Sequence, residues 1–220
     1  DIKLLNSLTS RVAFMQIYIH QTHHTIADFE QIFAYLENLS KADYFHGNIH
    51  IFPELFLTGY PLGDLLLERG FINRYHDMFE GIRKWWDELE VETDTALLLG
   101  GLDYAFENDR AVSIENVVFE LSNRATLDKV YTKCLLPNYD IFDEMKYFNA
   151  GKDAKIWEFA GLSFGFLICE DMWHSPHYPI DPLDMLLEIS QGRDLNGIIN
   201  FSGSPFHIDK EDSRIARANE

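Results

Sequence analysis

Two rhythms of apolar residues alternate along the first half of the chain. RVAFMQIYI (11–19) is rich in β-branched and aromatic residues, which predicts a strand, and Ile26, Phe29, Ile32, Phe33, Leu36 and Leu39 then recur at helical spacing. NIHIFPE (48–54) reads as a second strand stopped by Pro53. Ile72, Tyr75, Phe79, Ile82, Trp86 and Leu89 then mark a long amphipathic helix up to the acidic run DELEVETD, with Trp85 and Trp86 as packing residues. Two strand–helix units predict a layered α/β architecture. From TALLLGGLDY (95–104) the rhythm changes: SIENVVFELS, RATLDKVYT, KIWEFAG and LSFGFLICE carry little helical periodicity and read as consecutive strands. DPLDMLLEISQG returns to a helical pattern, NGIINFSGSP reads as one more buried strand, and DKEDSRIARANE opens a polar helix.

No repeat, low-complexity tract or linker-like composition divides the chain, which predicts one domain over 1–220. The last helix has no stop signal and the first residue is not Met, so a piece of a longer protein is expected. With 46% hydrophobic residues the chain has ample material for a core. A net charge of −18 sets it against phosphate-rich partners and predicts no nucleic acid and no anionic membrane. No apolar run reaches the ~18 residues of a membrane span, and DIKLLNSLTS lacks the layout of a signal peptide. Two cysteines, Cys134 and Cys169, are too few for a disulfide framework and fit a reducing compartment, so a cytoplasmic location is expected.

Candidate chemistry sits where predicted strands end. Cys169 follows the apolar run FGFLI and precedes Glu170 and Asp171; it reads either as a nucleophile on a rigid edge or as a core filler, which free cysteine often is. Glu54, just past Pro53, reads as a partly desolvated proton acceptor or as a solvated loop acid. Lys133 closes RATLDKVYTK and reads as an anion stabiliser or as a surface lysine. A thiol of pKa about 8.5 is only a few per cent ionised at neutral pH, so a cysteine nucleophile needs a base, and a carboxylate serves. His20, His23 and His24 in HQTHH lack acid or cysteine partners at ligand spacing and read as a polar loop, not a metal site. The glycines of NAGKD and FSGSP form neither a Walker loop nor a dinucleotide fingerprint.

FPELFLTGYPLGDLL, KCLLPNYDIFDE and LICEDMW resemble, in that order, three blocks of the nitrilase-like carbon–nitrogen hydrolases, and among them the glutaminase domain of glutamine-dependent NAD+ synthetases. The resemblance runs from Gln16 to SGSPFHIDK. It implies an α-β-β-α sandwich of two face-to-face sheets with outer helices, truncated at its C-terminus, and a Glu54–Lys133–Cys169 triad. It further implies that the thiolate attacks the glutamine carboxamide while Lys133 and the Glu170 N–H hold the oxyanion. Tyr60 would wall the pocket, Tyr139 and Phe142 would line it, and Glu144 matches a second glutamate near such triads. Glu170 and Ser204 would fix the ammonium and carboxylate of glutamine, and Lys210 takes a place that is basic in related chains.

By the same resemblance the glutaminase step needs no cofactor and no metal. ATP, Mg2+ and nicotinate adenine dinucleotide belong to a C-terminal synthetase domain of the same polypeptide, whose SGGxDS loop has no match here. Ammonia would reach that domain through a tunnel, and a homo-oligomer is expected. The chain departs from the family at HQTHHTIADFE, at Glu115–Asn116 where YN is usual, and at DEMKYF. A stand-alone amidase acting on another small amide and a catalytically silent oligomerisation module are the alternatives.

Overall fold

In the computed structural model, residues 15–108, 110–139, 142–173, 178–203 and 210–219 are described. A short strand β1 (Ile17–Ile19) leads into a loop that turns at Ala27, where φ is +58°. The Asp28 side chain then accepts the Gln31 N–H at 3.1 Å and starts helix α1 (Phe29–Leu39). Ile26 therefore stays outside the helix that its spacing predicted, 37% exposed. Strand β2 (Ile49–Ile51) ends two residues before Pro53, and helix α2 (Arg69–Glu88) buries Phe71, Tyr75, Met78, Ile82 and Trp86 along one stripe. Its inner face also carries polar handles: the Tyr75 hydroxyl bonds both the N–H and the C=O of Leu102, and the Trp86 indole donates to the Ser122 carbonyl.

Strands β3 (Ala96–Glu107), β4 (Arg110–Ser122) and β5 (Ala125–Thr132) complete a sheet in the order β1-β2-β3-β4-β5. The next two strands, β6 (Ile156–Phe159) and β7 (Leu162–Ile168), start a second sheet, closed by β8 (Gly197–Phe201) after helix α3 (Pro182–Ile189). The run of consecutive strands is real, and it is divided between two sheets. Helix α4 (Lys210–Ala218) follows.

Alternation along β3 shows why its sequence is almost continuously apolar. Leu97 and Leu99 pack with α1 and α2, whereas Ala96 and Leu98 pack with Trp157, Phe164, Phe166 and Phe201 of the second sheet. Each fully buried leucine contributes about 1.5–3 kcal/mol, so the two faces together lock the register. On the far side α3 lies against β7, where a Cβ on Gly165 would come within 2.4 Å of Leu186. The layers run helix, sheet, sheet, helix: the nitrilase-like sandwich that the resemblance implied. No helix among the described residues is long and apolar enough to cross a membrane.

The HQTHH segment departs from the expected polar loop, because two of its histidines turn inward. His24 donates to the Phe56 carbonyl at 2.9 Å, while His20 and His50 sit buried side by side. The Phe45 carbonyl can only accept, so His50 Nε2, 3.0 Å away, carries its proton. His50 Nδ1 then accepts from His20 Nε2 at 3.0 Å, and His20 Nδ1 accepts from the Tyr35 hydroxyl at 2.9 Å. A proton added to His50 Nδ1 would set two N–H groups against each other. Burial, then the neighbouring His50, hold His20 down to about 4, and burial holds His50 below the ordinary histidine value. Between that value and the 6.5 of an unperturbed histidine the folded state binds fewer protons than the unfolded one. Stability from this pair is therefore full above about pH 6.5 and is lost as pH falls toward 4. Urea midpoints measured from pH 7.5 to 4.5 should fall less steeply in His20→Gln than in the parent chain.

Candidate active site at one edge of the first sheet

Strand directions decide which residues meet. β2 and β3 are parallel, β4 is antiparallel to β3, and β5 is antiparallel to β4, so β2, β3 and β5 all point the same way. The segments after β2 and after β5 therefore emerge at one edge of the first sheet, a place where parallel strands commonly present reacting groups.

Glu54 lies in the turn after β2. That turn is sewn to β3 by the Phe52 N–H to Leu98 O bond and the Leu57 N–H to Gly100 O bond, at 3.0 and 2.9 Å. It packs so closely that a Cβ on Gly100 would stand 2.2 Å from the Pro53 carbonyl oxygen. The Glu54 side chain is buried: its Oε1 accepts from Asn116 Nδ2 at 2.9 Å and Lys133 Nζ at 2.8 Å, and its Oε2 accepts from the Gly203 N–H at 3.0 Å. The solvated-acid reading of Glu54 fails.

So does the surface reading of Lys133, whose side chain is 1% exposed. Its N–H donates to the Asn116 carbonyl at 2.9 Å and its own carbonyl accepts the Gly151 N–H at 2.7 Å. Beyond Glu54, its Nζ reaches both oxygens of Glu144, at 2.9 and 2.8 Å. Burial opposes the Lys133 charge, but Glu54, Glu144 and Cys169 outweigh it and hold the ammonium well above the usual lysine range. Glu144 starts a single 3-10 turn (Glu144–Lys146) and also accepts from the Tyr60 hydroxyl at 2.9 Å. Burial pushes its carboxyl up to about 7, with Lys133 pulling the other way.

Cys169 begins the 3-10 turn Cys169–Met172 directly after β7, is 9% exposed, and has a φ of +48°. That left-handed backbone costs a non-glycine residue of order 1–3 kcal/mol. The sulfur interacts electrostatically with the Lys133 ammonium and the Tyr139 hydroxyl. Next to it the Glu170 carboxylate is gripped by two hydroxyls, Tyr139 at 2.8 Å and Tyr178 at 2.9 Å. Asp171, with none of its surface exposed, accepts from Cys134 N, Leu135 N, Ile168 N and the Tyr131 hydroxyl.

Among the remaining candidates, the Phe142 ring stacks on Tyr60 at 6.1 Å and meets Tyr139 edge-on at 5.5 Å. Tyr139 is 52% exposed. Ser204 lies outside the described residues; Lys210 begins α4, and its side chain lies outside them. A pocket of about 110 Å³ lined by Tyr60, Leu62, Glu144 and Tyr147 adjoins the buried charges. A larger groove of about 730 Å³ between α2 and the β3–β4 hairpin is remote from them, so size does not pick out the site.

Several groups at this edge were not singled out by the sequence reading. Asn116 stood only as part of a departure from the YN pair, yet its amide orients Glu54. Gly151 and Gly203 were noted only for failing to form a phosphate loop; Gly151 allows close approach, since a Cβ there would stand 2.4 Å from Thr132 O, and the Gly203 N–H bonds Glu54. Asp171 was visible as the third letter of CED, whereas nothing near Tyr178 in the sequence pointed to Glu170.

The sequence model of the carbon–nitrogen hydrolase family matches residues 11–177. A glutamine-dependent NAD(+) synthetase of Thermotoga maritima is 30% identical over 197 residues, which are 89% of this chain and 31% of that protein. One from Acinetobacter baylyi is 29% identical, with 84% of this chain and 30% of that protein covered. The chain thus spans about a third of the length of these curated relatives. Among solved structures, the glutamine-dependent NAD+ synthetase of Acinetobacter baumannii in complex with ADP superposes with a TM-score of 0.69 at 25% identity, over 90% of this chain and 34% of that one. An amidase from Nesterenkonia shares the fold, with a TM-score of 0.64 at 15% identity, over 92% of this chain and 70% of that one.

Because the Pro53–Leu55 backbone fills the space beside Gly100, Gly100→Ala should cost about 1–3 kcal/mol in urea denaturation through overpacking alone. The same substitution should displace the Glu54 carboxylate from Asn116, visible as lost protection of the Leu57 amide in hydrogen exchange.

Proposed function

This chain belongs to the carbon–nitrogen hydrolase family, and from that premise we propose that residues 1–220 form the glutamine amidohydrolase domain of a longer glutamine-dependent NAD+ synthetase polypeptide. The observation that carries the reading is the buried ammonium of Lys133, shared by Glu54 and Glu144 and interacting with Cys169.

Glu54 is the base. Its Oε1 already accepts from Asn116 and Lys133, and its Oε2 accepts only from Gly203 among the donors described, which leaves a lone pair on Oε2 for the thiol proton. The Cys169 thiolate attacks the side-chain carboxamide carbon of glutamine, and the oxygen that gains charge is held by Lys133 Nζ and the Glu170 N–H. Glu54 returns the proton to the departing nitrogen, ammonia leaves and a thioester remains. Water, deprotonated by Glu54, then releases glutamate.

Glu170, oriented by Tyr139 and Tyr178, receives the α-ammonium of the amino acid, while Tyr60 and Phe142 form one wall of the pocket. Glu144 holds the far side of the ammonium and keeps Lys133 aimed. The chemistry of this half-reaction needs no metal or organic cofactor. ATP, Mg2+ and nicotinate adenine dinucleotide are used by the second domain, which consumes the ammonia. Neither Cys134 nor Cys169 is in a disulfide, in keeping with a reducing, cytoplasmic setting.

A diazo-ketone analogue of glutamine, followed by peptide mass spectrometry, tests the reading. The adduct should fall on Cys169 and spare Cys134, whose thiol burial pushes up to about 12 and keeps protonated. An adduct on Cys134, or labelling equally well competed by acetamide and by glutamine, would overturn it. Cys169→Ala should abolish glutamate release, and Lys133→Met should lower kcat by about 10²–10³, the usual effect of losing one oxyanion donor.

A further inference from the structure

The nucleophile and the ammonium arrive on different sheets, Cys169 after β7 and Lys133 after β5, so something must fix one relative to the other. The Asp171 carboxylate spans the gap. Its Oδ1 accepts the N–H groups of Cys134 and Leu135, the two residues after Lys133, at 2.9 and 2.7 Å. Its Oδ2 accepts the N–H of Ile168, the residue before Cys169, at 3.0 Å, and the Tyr131 hydroxyl from inside β5 at 2.8 Å. We infer that Asp171 is a positioning residue that sets the distance between the Lys133 ammonium and the Cys169 sulfur by bonding the backbone on either side of them. Its importance for hydrolysis rests on the reading above; the geometric role does not.

Two oxygens with about four lone pairs meet four donors, so the carboxylate is saturated and has one orientation. Burial pushes it up to about 6 against the pull of those donors, so it is ionised at neutral pH and holds them as charge-assisted bonds. An amide in its place keeps the shape and loses this fit. Its oxygen can satisfy Cys134 and Leu135, but its NH2 then faces the Ile168 N–H, which cannot turn round. The turn that carries Cys169 is released while the lysine segment stays held. Asp171 touches no atom of the Lys133 or Cys169 side chains among the bonds described, so it acts through the backbone.

The test is the pH profile of Cys169 alkylation by iodoacetamide, mapped by mass spectrometry, in the parent chain, Asp171→Asn and Tyr131→Phe. Lys133 and Tyr139 interact with the sulfur, Glu54 and Glu144 surround the Lys133 ammonium, Glu170 bonds Tyr139, and Tyr131 and Cys134 face Asp171; of these charged groups only Asp171 changes in Asp171→Asn. Removing a nearby negative charge alone moves the alkylation midpoint to lower pH. Withdrawing the sulfur from the ammonium moves it to higher pH, and the positioning role predicts a rise of about one pH unit in Asp171→Asn. A fall, or no change, overturns the role.

If Asp171→Asn does not fold, with Cys134 and Cys169 alkylated alike, Tyr131→Phe decides, because it removes one donor and no charge. A rise of a few tenths of a unit supports the role, and an unchanged midpoint overturns it. Glutamine hydrolysis is measured in parallel: kcat should fall by at least ~10-fold in Asp171→Asn, with KM within about threefold. A parent chain that hydrolyses no glutamine removes the functional reading and leaves the alkylation profile to judge Asp171.

Discussion

A lysine ammonium buried to 1% exposure is the constraint around which this structure is arranged. An isolated charge there would lose several kcal/mol of hydration, and breaking such a pair by deleting one partner typically costs about 3–5 kcal/mol. Two carboxylates balance it, and two carboxylates are one too many. The surplus negative charge appears in Glu144, which burial lifts to about 7, so that near neutrality the cluster has a group ready to take or release a proton. Hydrophobic residues would fill this space at lower energetic cost. That the sequence spends a Lys and two Glu there is the physical basis for reading it as a site.

Bringing these charges together requires backbones to approach more closely than side chains allow. Gly100 lets the Glu54 turn lie on β3 and Gly151 lets the chain pass over the end of β5; the backbone N–H of Gly203, where a side chain would also fit, completes the set by bonding Glu54 directly. Asn116 serves both sides, with its carbonyl on the Lys133 N–H and its amide on Glu54. Asp171 extends the same logic from the first sheet to the second. The strained backbone of Cys169, at φ +48°, is held by bonds on both flanks, with Ile168 tied to Asp171 and Trp173 tied to Glu170.

How much of this was legible in the sequence follows from the range over which each signal acts. The core pattern of β3 and the stripe of α2 repeat within a few residues, so strands and helices could be read locally, apart from the start of α1; residues 11–14 of the expected first strand lie outside the described residues. Glu54, Lys133 and Cys169 each had a bland reading at least as good as the functional one; their shared place at strand ends made convergence plausible, and the resemblance of three blocks made it specific. Asn116 lies 62 residues from Glu54, and Gly203 lies 149 residues from it. Such pairings leave no mark on spacing. The inward turn of His20 was missed for the same reason, since its partner is on the neighbouring strand 30 residues away.

The central claim is that the charge developing on a substrate oxygen at Cys169 is received by Lys133. A crystal structure of the chain carrying the covalent glutamine-analogue adduct measures this directly. The account predicts the adduct oxygen within hydrogen-bonding distance, about 2.7–3.1 Å, of both Lys133 Nζ and the Glu170 N–H, with Glu54 on the opposite side of the sulfur. An adduct oxygen turned to solvent, with Lys133 still closed between Glu54 and Glu144 and out of reach, would contradict it.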